Sequence, residues 1–443
     1  MRDGGRIQAA IEVLSDIAER RRPAADALKD WGLSHRFAGS GDRGAISSLV
    51  FDALRQRASL SWRMGADTPR AQVLGVYGLV WGKGVDEIDA LFAEDRHAPE
   101  PLSDEERAAL SRGQVDASLA DALADAPGHI AADVPEWLWP SFAALFGEDA
   151  VAEGRALAGR APVDLRANRL KAERDKVLSA LSRFSPQPTP LSPVGVRIAA
   201  PHGPGRTPHL ASEAGFLKGW FEVQDEASQL AAILSGARGG AQVLDLCAGG
   251  GGKTLAMAAE MGNSGQIFAY DSDARRFGDI RERLKRAGAR NVQLRLPSEP
   301  DALADLAGRM DVVLVDAPCT GTGTWRRRPD AKWRLAPGAL DLRIGEQKAV
   351  LGEGADFVAP GGMLVYVTCS LLPQENEEQI VAFLSERPEF RLADPGEQWL
   401  TTLGGAMPDG LRAPVEGFGD ALRLTPARAG TDGFFVALLR RAA

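Results

Sequence analysis

The chain has 443 residues, 44% hydrophobic and 25% charged, and its 52 basic and 60 acidic side chains give a net charge of −8. Such a length suits about two to four packed domains, and the balance excludes both a disordered chain and a globally basic nucleic-acid binder, so any RNA binding must come from local patches. No run of apolar residues is long enough for a membrane span, the N-terminus MRDGGRIQAAIEVL has no signal-peptide core, and three scattered cysteines with five scattered histidines suggest neither a disulfide framework nor a metal site.

The expectation is therefore a cytoplasmic monomer with no metal and no membrane partner. Residues 1–130 read as helical. Ile7, Ile11, Leu14 and Ile17 share one helical face, as do Ile46, Leu49, Val50, Ala53 and Leu54. Val73, Leu74, Tyr77, Leu79 and Val80 form a third apolar segment. The run Arg20–Arg22 reads as a solvated helix end. Residues 101–133 are Ala/Asp-rich and read as a connection with a short helix. Residues 134–218 form a smaller unit of different texture. Pro135, Trp137, Leu138, Phe142, Leu145 and Phe146 suggest an amphipathic helix, and 163–171 (VDLRANRLK) alternates like a strand. Val177, Leu178, Leu181 and Phe184 mark another helix. Arg166, Arg169, Lys171, Arg174 and Lys176 form a basic stretch that suits either an RNA-facing patch or a solvated surface. Seven prolines between 186 and 208 indicate loops, with one edge strand at 194–198.

Residues 219–443 alternate strands with helices. Candidate strands are 243–247, 267–270, 292–296, 312–315, 363–368 and 434–439, with helices such as 275–287 and 374–386 between them. This pattern specifies an α/β domain with a mostly parallel sheet covered on both faces. Chemistry should gather at the carboxyl ends of its strands.

The first of these strands runs into VLDLCAGGGGKT (243–254). A buried strand, four glycines (Gly249 to Gly252) and a following helix make a nucleotide-type cofactor loop, because glycine lets the backbone approach a ligand and a helix start offers free N–H groups. The P-loop spacing fails, since Cys247 stands where its first glycine belongs, and the dinucleotide spacing is met only loosely. S-adenosylmethionine is the third reading: it needs an acid on the strand and another after the next strand, and Asp245 and Asp271 occupy those places. Cys247, Cys319 and Cys369 all fall near strand ends. Each alone reads as a small buried hydrophobe; two converging beside a cofactor loop argue for chemistry. Asp316-Ala317-Pro318-Cys319 sets an acid and a thiol in one turn. Arg326, Arg327, Arg328, Lys332 and Arg334, interleaved with Trp325 and Trp333, suit either a phosphate backbone with stacked bases or a charged surface loop.

The stretches DLCAGGGGKT, DAPCTGTGTWRRRPDAKW and YVTCSLLPQENEE resemble the motifs of the Sun (Fmu) family of RNA cytosine-5 methyltransferases. The likeness extends along the chain. RIQAAIEVL and DRGAISSLVFDALR resemble the NusB-like RNA-binding domain of the bacterial members that act on small-subunit ribosomal RNA, the methyltransferase B type. WLWPSFAALFG, LRANRLK and WFEVQDEAS resemble the linking domain and its entry into the core, and TDGFFVALLRR closes the match. The resemblance implies an all-α NusB-like domain at 1–130, a small α+β linking domain at 134–218 and a class I, Rossmann-like methyltransferase core at 219–443. It implies S-adenosylmethionine as cofactor and RNA, above all 16S ribosomal RNA, as substrate.

It also implies roles. Cys369 matches the nucleophile that adds to cytosine carbon 6, and Cys319 matches the cysteine that assists product release. Asp316 would hydrogen-bond the base, with Lys253 near the same centre. Cys247, Ala248, Gly249, Gly250, Gly251, Gly252 and Lys253 would hold the cofactor together with Asp316, and Asp271 would hold its ribose. Arg166, Arg326, Arg327, Arg328 and Lys332 are the candidate RNA contacts, and the target base must leave its stack. The chain departs from the pattern twice. Gly249-Gly250 replaces Ala-Pro, and LRLPSEP (294–300) lacks the aspartate that reads adenine, with Pro297 or Ser298 near its place and Ser298 or Glu299 as the candidate substitutes. Two alternatives share these residues: the same chemistry on transfer RNA or another ribosomal site, and a non-catalytic RNA-binding assembly factor. A nucleotide hydrolase is more distant, because the P-loop is incomplete.

Overall fold

The amphipathic stripes of the first 130 residues fold as helices, because each stripe buries only when packed against another. The computed structural model describes residues 1–115, 119–205 and 207–443; positions 116–118 of the Ala/Asp-rich connection and 206 of the proline-rich segment lie outside the described residues. The chain forms two compact units. One comprises Met1–Ala161, Ala200–Thr207 and Trp325–Leu335, the other Pro162–Ala199, Pro208–Thr324 and Ala336–Ala443.

In the first unit, α1 (Asp3–Arg20), α2 (Ala24–Ser34), α3 (Ser40–Arg55), α4 (Arg57–Met64), α5 (Pro69–Gly75), α6 (Val85–Glu94) and α7 (Asp104–Val115) follow one another. Ile7, Leu14 and Ile17 of α1 pack with Ile46, Leu49, Val50 and Leu54 of α3 and with Val73, Leu74 and Tyr77. Thr68 caps α5 by accepting the Ala71 N–H at 3.2 Å. This helix runs on into a π-helical turn, Val76–Val80. The wider turn shifts the helical face by part of a residue, and Val80 points outward, 38% exposed. Two further helices, α8 (Trp139–Phe146) and α9 (Ala150–Leu157), belong to the same unit. The stretch read as one linking domain is thus divided: the helices Trp139–Phe146 and Ala150–Leu157 lie in the first unit, while its strands and the helix Arg174–Ala180 lie in the second.

Those strands are β1 (Val163–Ala167), β2 (Gln187–Pro188) and β3 (Gly195–Ile198); β4 (Phe221–Val223), from the following segment, completes a sheet in the order β2-β3-β1-β4. β3 is paired on both sides and is not the edge strand expected at 194–198. The main sheet contains β5 (Gln242–Asp245), β6 (Gln266–Tyr270), β7 (Val292–Arg295), β8 (Met310–Asp316), β9 (Val358–Thr368), β10 (Phe390–Leu392), β11 (Arg412–Val415), β12 (Gly419–Leu424) and β13 (Phe434–Arg441). Its order is β11-β12-β13-β9-β8-β5-β6-β7, with β10 also on β13. The pairings among β5 to β9 are parallel. Those that add β10 to β13 are antiparallel. The sheet is therefore mixed rather than mostly parallel. β11 carries Pro414 and sits at the sheet edge, where a missing N–H costs nothing.

Helices α10 (Glu226–Leu234), α11 (Gly252–Glu260), α12 (Ile280–Ala287), α13 (Pro337–Phe357) and α14 (Glu377–Glu386) flank this sheet. The helix expected at 275–287 is broken into a 3-10 turn, Ala274–Phe277, and α12, with Gly278 at the break. α14 starts at Glu377 rather than 374, since Asn376 holds a non-helical φ of −122° and ψ of −98°. The parallel strands present near-continuous apolar runs: Val312 to Val315 and Met363 to Val367 are almost wholly buried. Their carboxyl ends bring Cys247, Asp271, Asp316, Cys319 and Cys369 to one edge of the sheet. Among the described residues no helix is long and apolar enough to cross a membrane.

Candidate active site

Strand β5 neighbours β6 on one side and β8 on the other, with crossovers leaving in opposite directions. A switch of this kind opens a crevice outside the strand ends, and the glycine loop fills its rim. Gly249 and Gly251 have φ of +52° and +79°, conformations that suit residues without a Cβ. A Cβ on Gly251 would also stand 2.6 Å from Ile280 Cγ1. The loop is tied down from the next strand: the Gly249 N–H donates to Asp271 Oδ2 at 2.9 Å, and the Asp273 N–H donates to Asp271 Oδ1 at 2.9 Å. Arg283 donates to the Gly250 carbonyl.

Asp245 closes β5 fully buried and accepts from the Thr254 hydroxyl at 2.6 Å. Burial pushes its carboxyl up to about 7, and its Oδ1 has no hydrogen-bond partner among the described residues. A cavity of about 290 Å³ opens beside the loop, bounded by Cys247, Tyr270, Asp271, Arg276, Pro318 and Glu353 among others. The Cys247 thiol is pushed far above its ordinary range by burial, so it acts as a small hydrophobe there. Ser298 is exposed and does not border this cavity, and the Glu299 carboxylate accepts the Leu296 N–H at 3.4 Å instead. Glu299, like Ser298, does not border the cavity.

On the other side of the switch, Lys253 Nζ lies 2.7 Å from Asp316 Oδ2 and 5.3 Å from the centre of the Phe434 ring. The lysine is buried while Asp316 is 37% exposed at the crevice. Parallel pairing of β8 with β9 carries two turns to the same level: the Ala317 N–H donates to the Val367 carbonyl and the Gly323 N–H to the Cys369 carbonyl, each at 2.9 Å. Cys319 Sγ and Cys369 Sγ are consequently 3.3 Å apart, both as free thiols. The Cys319 thiol is pushed well above its ordinary range by its hydrogen bond to Cys369 and by burial.

Glu375 holds this pair of turns and was not singled out by the sequence. Its carboxylate is fully buried. Oε1 accepts the Thr320 N–H at 2.8 Å and Gln347 Nε2 at 2.9 Å; Oε2 accepts the hydroxyls of Thr320 and Ser370. Asn376 beside it accepts the Thr368 hydroxyl at 2.5 Å and donates to the Ser370 carbonyl at 3.0 Å. The available signal was an acid and an amide, Glu375-Asn376, within the stretch that follows Cys369.

The candidate RNA contacts separate. Arg166 is 3% exposed, donates to Gln224 Oε1 at 2.7 Å, and is drawn down to about 10 by burial. Arg326 and Lys332 are buried within the helical unit. Lys332 Nζ donates to the Arg55 carbonyl at 2.9 Å, and Trp333 Nε1 to the Leu54 carbonyl at 2.6 Å. These three cations serve packing rather than a nucleic-acid surface. Arg327 is half-buried and Arg328 exposed. Among the described residues no cluster of His, Cys, Asp or Glu is arranged to hold a metal ion.

Residues 232–440 match the family described as 16S rRNA methyltransferase RsmB/F. A probable ribosomal RNA small subunit methyltransferase B of Synechocystis is 33% identical over 70% of this chain and 67% of its own. The ribosomal RNA small subunit methyltransferase B of Sodalis glossinidius is 31% identical over 80% of this chain and 84% of its own. The crystal structure of a methyltransferase homologue from Pyrococcus horikoshii, 28% identical, superposes on 74% of this chain and all of its own, at a TM-score of 0.58. With glycine loop, paired acids and paired thiols at one sheet edge, the chain belongs to the RsmB/F family of methyltransferases.

Proposed function

We propose that this enzyme transfers a methyl group from S-adenosylmethionine to carbon 5 of a cytosine in RNA, with 16S ribosomal RNA as the substrate. The carrying observation is the pair of free thiols 3.3 Å apart beside the Lys253–Asp316 ion pair. The names of the relatives support the ribosomal substrate. The cavity beside the glycine loop suits the cofactor: its volume falls near the roughly 300 Å³ lower end of small-molecule pockets, and it combines open backbone with a buried carboxylate. Cys247 to Gly252 would hold the methionine portion. Asp271, itself fixed by two backbone N–H groups, would accept from ribose hydroxyls.

When bound, S-adenosylmethionine supplies an electrophilic methyl group. Cytosine carbon 5 is a poor nucleophile until a thiolate adds to carbon 6, and Cys369 makes that addition. Asp316, oriented by Lys253, hydrogen-bonds the protonated ring. In release, water takes the carbon 5 proton, the carbon 5–hydrogen electron pair restores the carbon 5–carbon 6 double bond, and the carbon 6–sulfur pair returns to Cys369; Cys319, which keeps its proton at neutral pH, assists by hydrogen-bonding that departing sulfur. The target base reaches this centre out of its stack. Arg327 and Arg328 remain the candidate phosphate contacts.

The test is transfer of labelled methyl to total RNA from cells lacking this protein, followed by nucleoside digestion and mapping. Label in 5-methylcytidine at a small-subunit position is the expected result. Cys369→Ala should lose all transfer, and Cys319→Ala should accumulate a covalent protein–RNA adduct, seen as a slow band on a denaturing gel. Adduct formation without Cys369 would overturn the assignment.

A further inference from the structure

The two thiols stand on different strand ends, and nothing covalent joins them. Cys319 follows β8 and Cys369 follows β9. Backbone–backbone bonds reach into the turns at Ala317 and at Gly323, which donates to the Cys369 carbonyl, but among the described residues none is made by the backbone N–H groups of Cys319 or Thr320 to the other turn. The residue after each cysteine, Thr320 and Ser370, turns inward to one side chain from a third segment, Glu375. Gln347 of α13 completes the set by bonding both Glu375 Oε1 and the Pro318 carbonyl, each at 2.9 Å. A second tie runs through Thr322, whose hydroxyl lies 3.1 Å from Ser370 Oγ and accepts the Leu371 N–H at 2.8 Å. The Tyr366 hydroxyl donates to the Glu375 carbonyl at 2.7 Å, which also fixes the backbone of the tie.

We infer that Glu375 is the positioning residue of the two-thiol centre: its carboxylate clamps the turn behind Cys319 to the turn behind Cys369 and so sets the sulfur–sulfur distance. Glu375 is fully buried and sits behind both turns, so it acts through the cysteines rather than on the base. The consequence is selective. Addition to cytosine needs Cys369 alone, whereas release needs Cys319 brought to it. Loosening the clamp should impair release far more than addition. A displacement of about 1 Å between reacting groups costs roughly 100-fold in rate.

This inference rests on the covalent chemistry proposed above. The experiment is adduct trapping and turnover with labelled cofactor and substrate RNA, on the full chain, for wild type, Cys319→Ala, Glu375→Ala and Glu375→Gln. Glu375→Ala should behave like Cys319→Ala: a persistent adduct, with turnover reduced roughly 100-fold. Glu375→Gln should recover most turnover, because its amide oxygen can replace Oε1 while its amide N–H groups meet two hydroxyls able to rotate and accept. Thr320→Val keeps the backbone bond and loses one hydroxyl bond, so it should accumulate adduct to an intermediate level even if Glu375→Ala does not fold. Full turnover in Glu375→Ala, or equal loss of adduct and turnover in folded Thr320→Val, would overturn the inference. Failure of Cys319→Ala to accumulate adduct would instead strike the underlying chemistry.

Discussion

Lys332 offers a decisive check on the burial of the basic motif. Its ammonium is 1% exposed, donates to the Arg55 carbonyl, and lies 4.8 Å from the centre of the Trp333 ring and 5.8 Å from that of Trp325. The carboxylate it senses, Asp133, is bonded to the Ser59 N–H at 3.0 Å, the Ser59 hydroxyl at 2.6 Å and Arg155 at 2.8 Å. Burial draws the Lys332 ammonium down to about 8 from 10.5. Below pH 8 the lysine is charged in both folded and unfolded chains. Between pH 8 and 10.5 the unfolded chain holds one more proton, so stability rises with pH by about 1.4 kcal/mol per unit and by about 3 kcal/mol in all. Lys332→Met removes this dependence and leaves Asp133 paired with Arg155. Urea unfolding of both proteins at pH 7, 8.5 and 9.5, followed by tryptophan fluorescence, should show wild type gaining on the variant by about 2 kcal/mol across the range. A gap that stays constant would refute the burial. So would a variant of unchanged stability that binds RNA less tightly with a smaller salt slope.

Three further outcomes follow from the geometry. The Asp245 carboxyl, raised to about 7 by burial, binds a proton more tightly folded than unfolded, so its contribution is lost as pH climbs from about 4 through 7; Asp245→Asn should gain on wild type between pH 5 and 8 by about 3 kcal/mol in unfolding free energy. Gly251→Ala combines a left-handed φ with a Cβ 2.6 Å from Ile280 and should cost about 3 kcal/mol in unfolding free energy, with weaker binding of S-adenosylhomocysteine by calorimetry. Exposed Arg328→Ala should weaken RNA binding uniformly and lower the salt slope by about 1, whereas buried Arg166→Met should destabilise the fold and leave that slope unchanged, as read by titrations at several salt concentrations.

Local signals carried much of the molecule. Glycine run, flanking acids and strand-end cysteines are short-range features, so the glycine loop and the groups gathered at the strand ends were legible from residue order. Periodicity likewise exposed the helical first segment and the strands β5 to β9, because a buried parallel strand is a continuous apolar run and an amphipathic helix repeats every three to four residues. β10 to β12 were missed: they are short, and β11 contains a proline that a pattern reader treats as a break.

Charge was the weaker guide. A run of arginines and a lysine reads the same whether it meets phosphate or packs inside, and only the fold revealed that Lys332, Arg326 and Arg166 are desolvated. Ser298 was placed by counting along the chain, and in the fold it does not border the cavity. By itself, then, the sequence determined which chemical groups exist and on which strand ends they stand. Tertiary structure alone decided which of them meet: that two thiols 50 positions apart come within 3.3 Å, and that one buried carboxylate braces both. The physical reason is that strand pairing and side-chain hydrogen bonds act across space, where spacing along the chain carries no information.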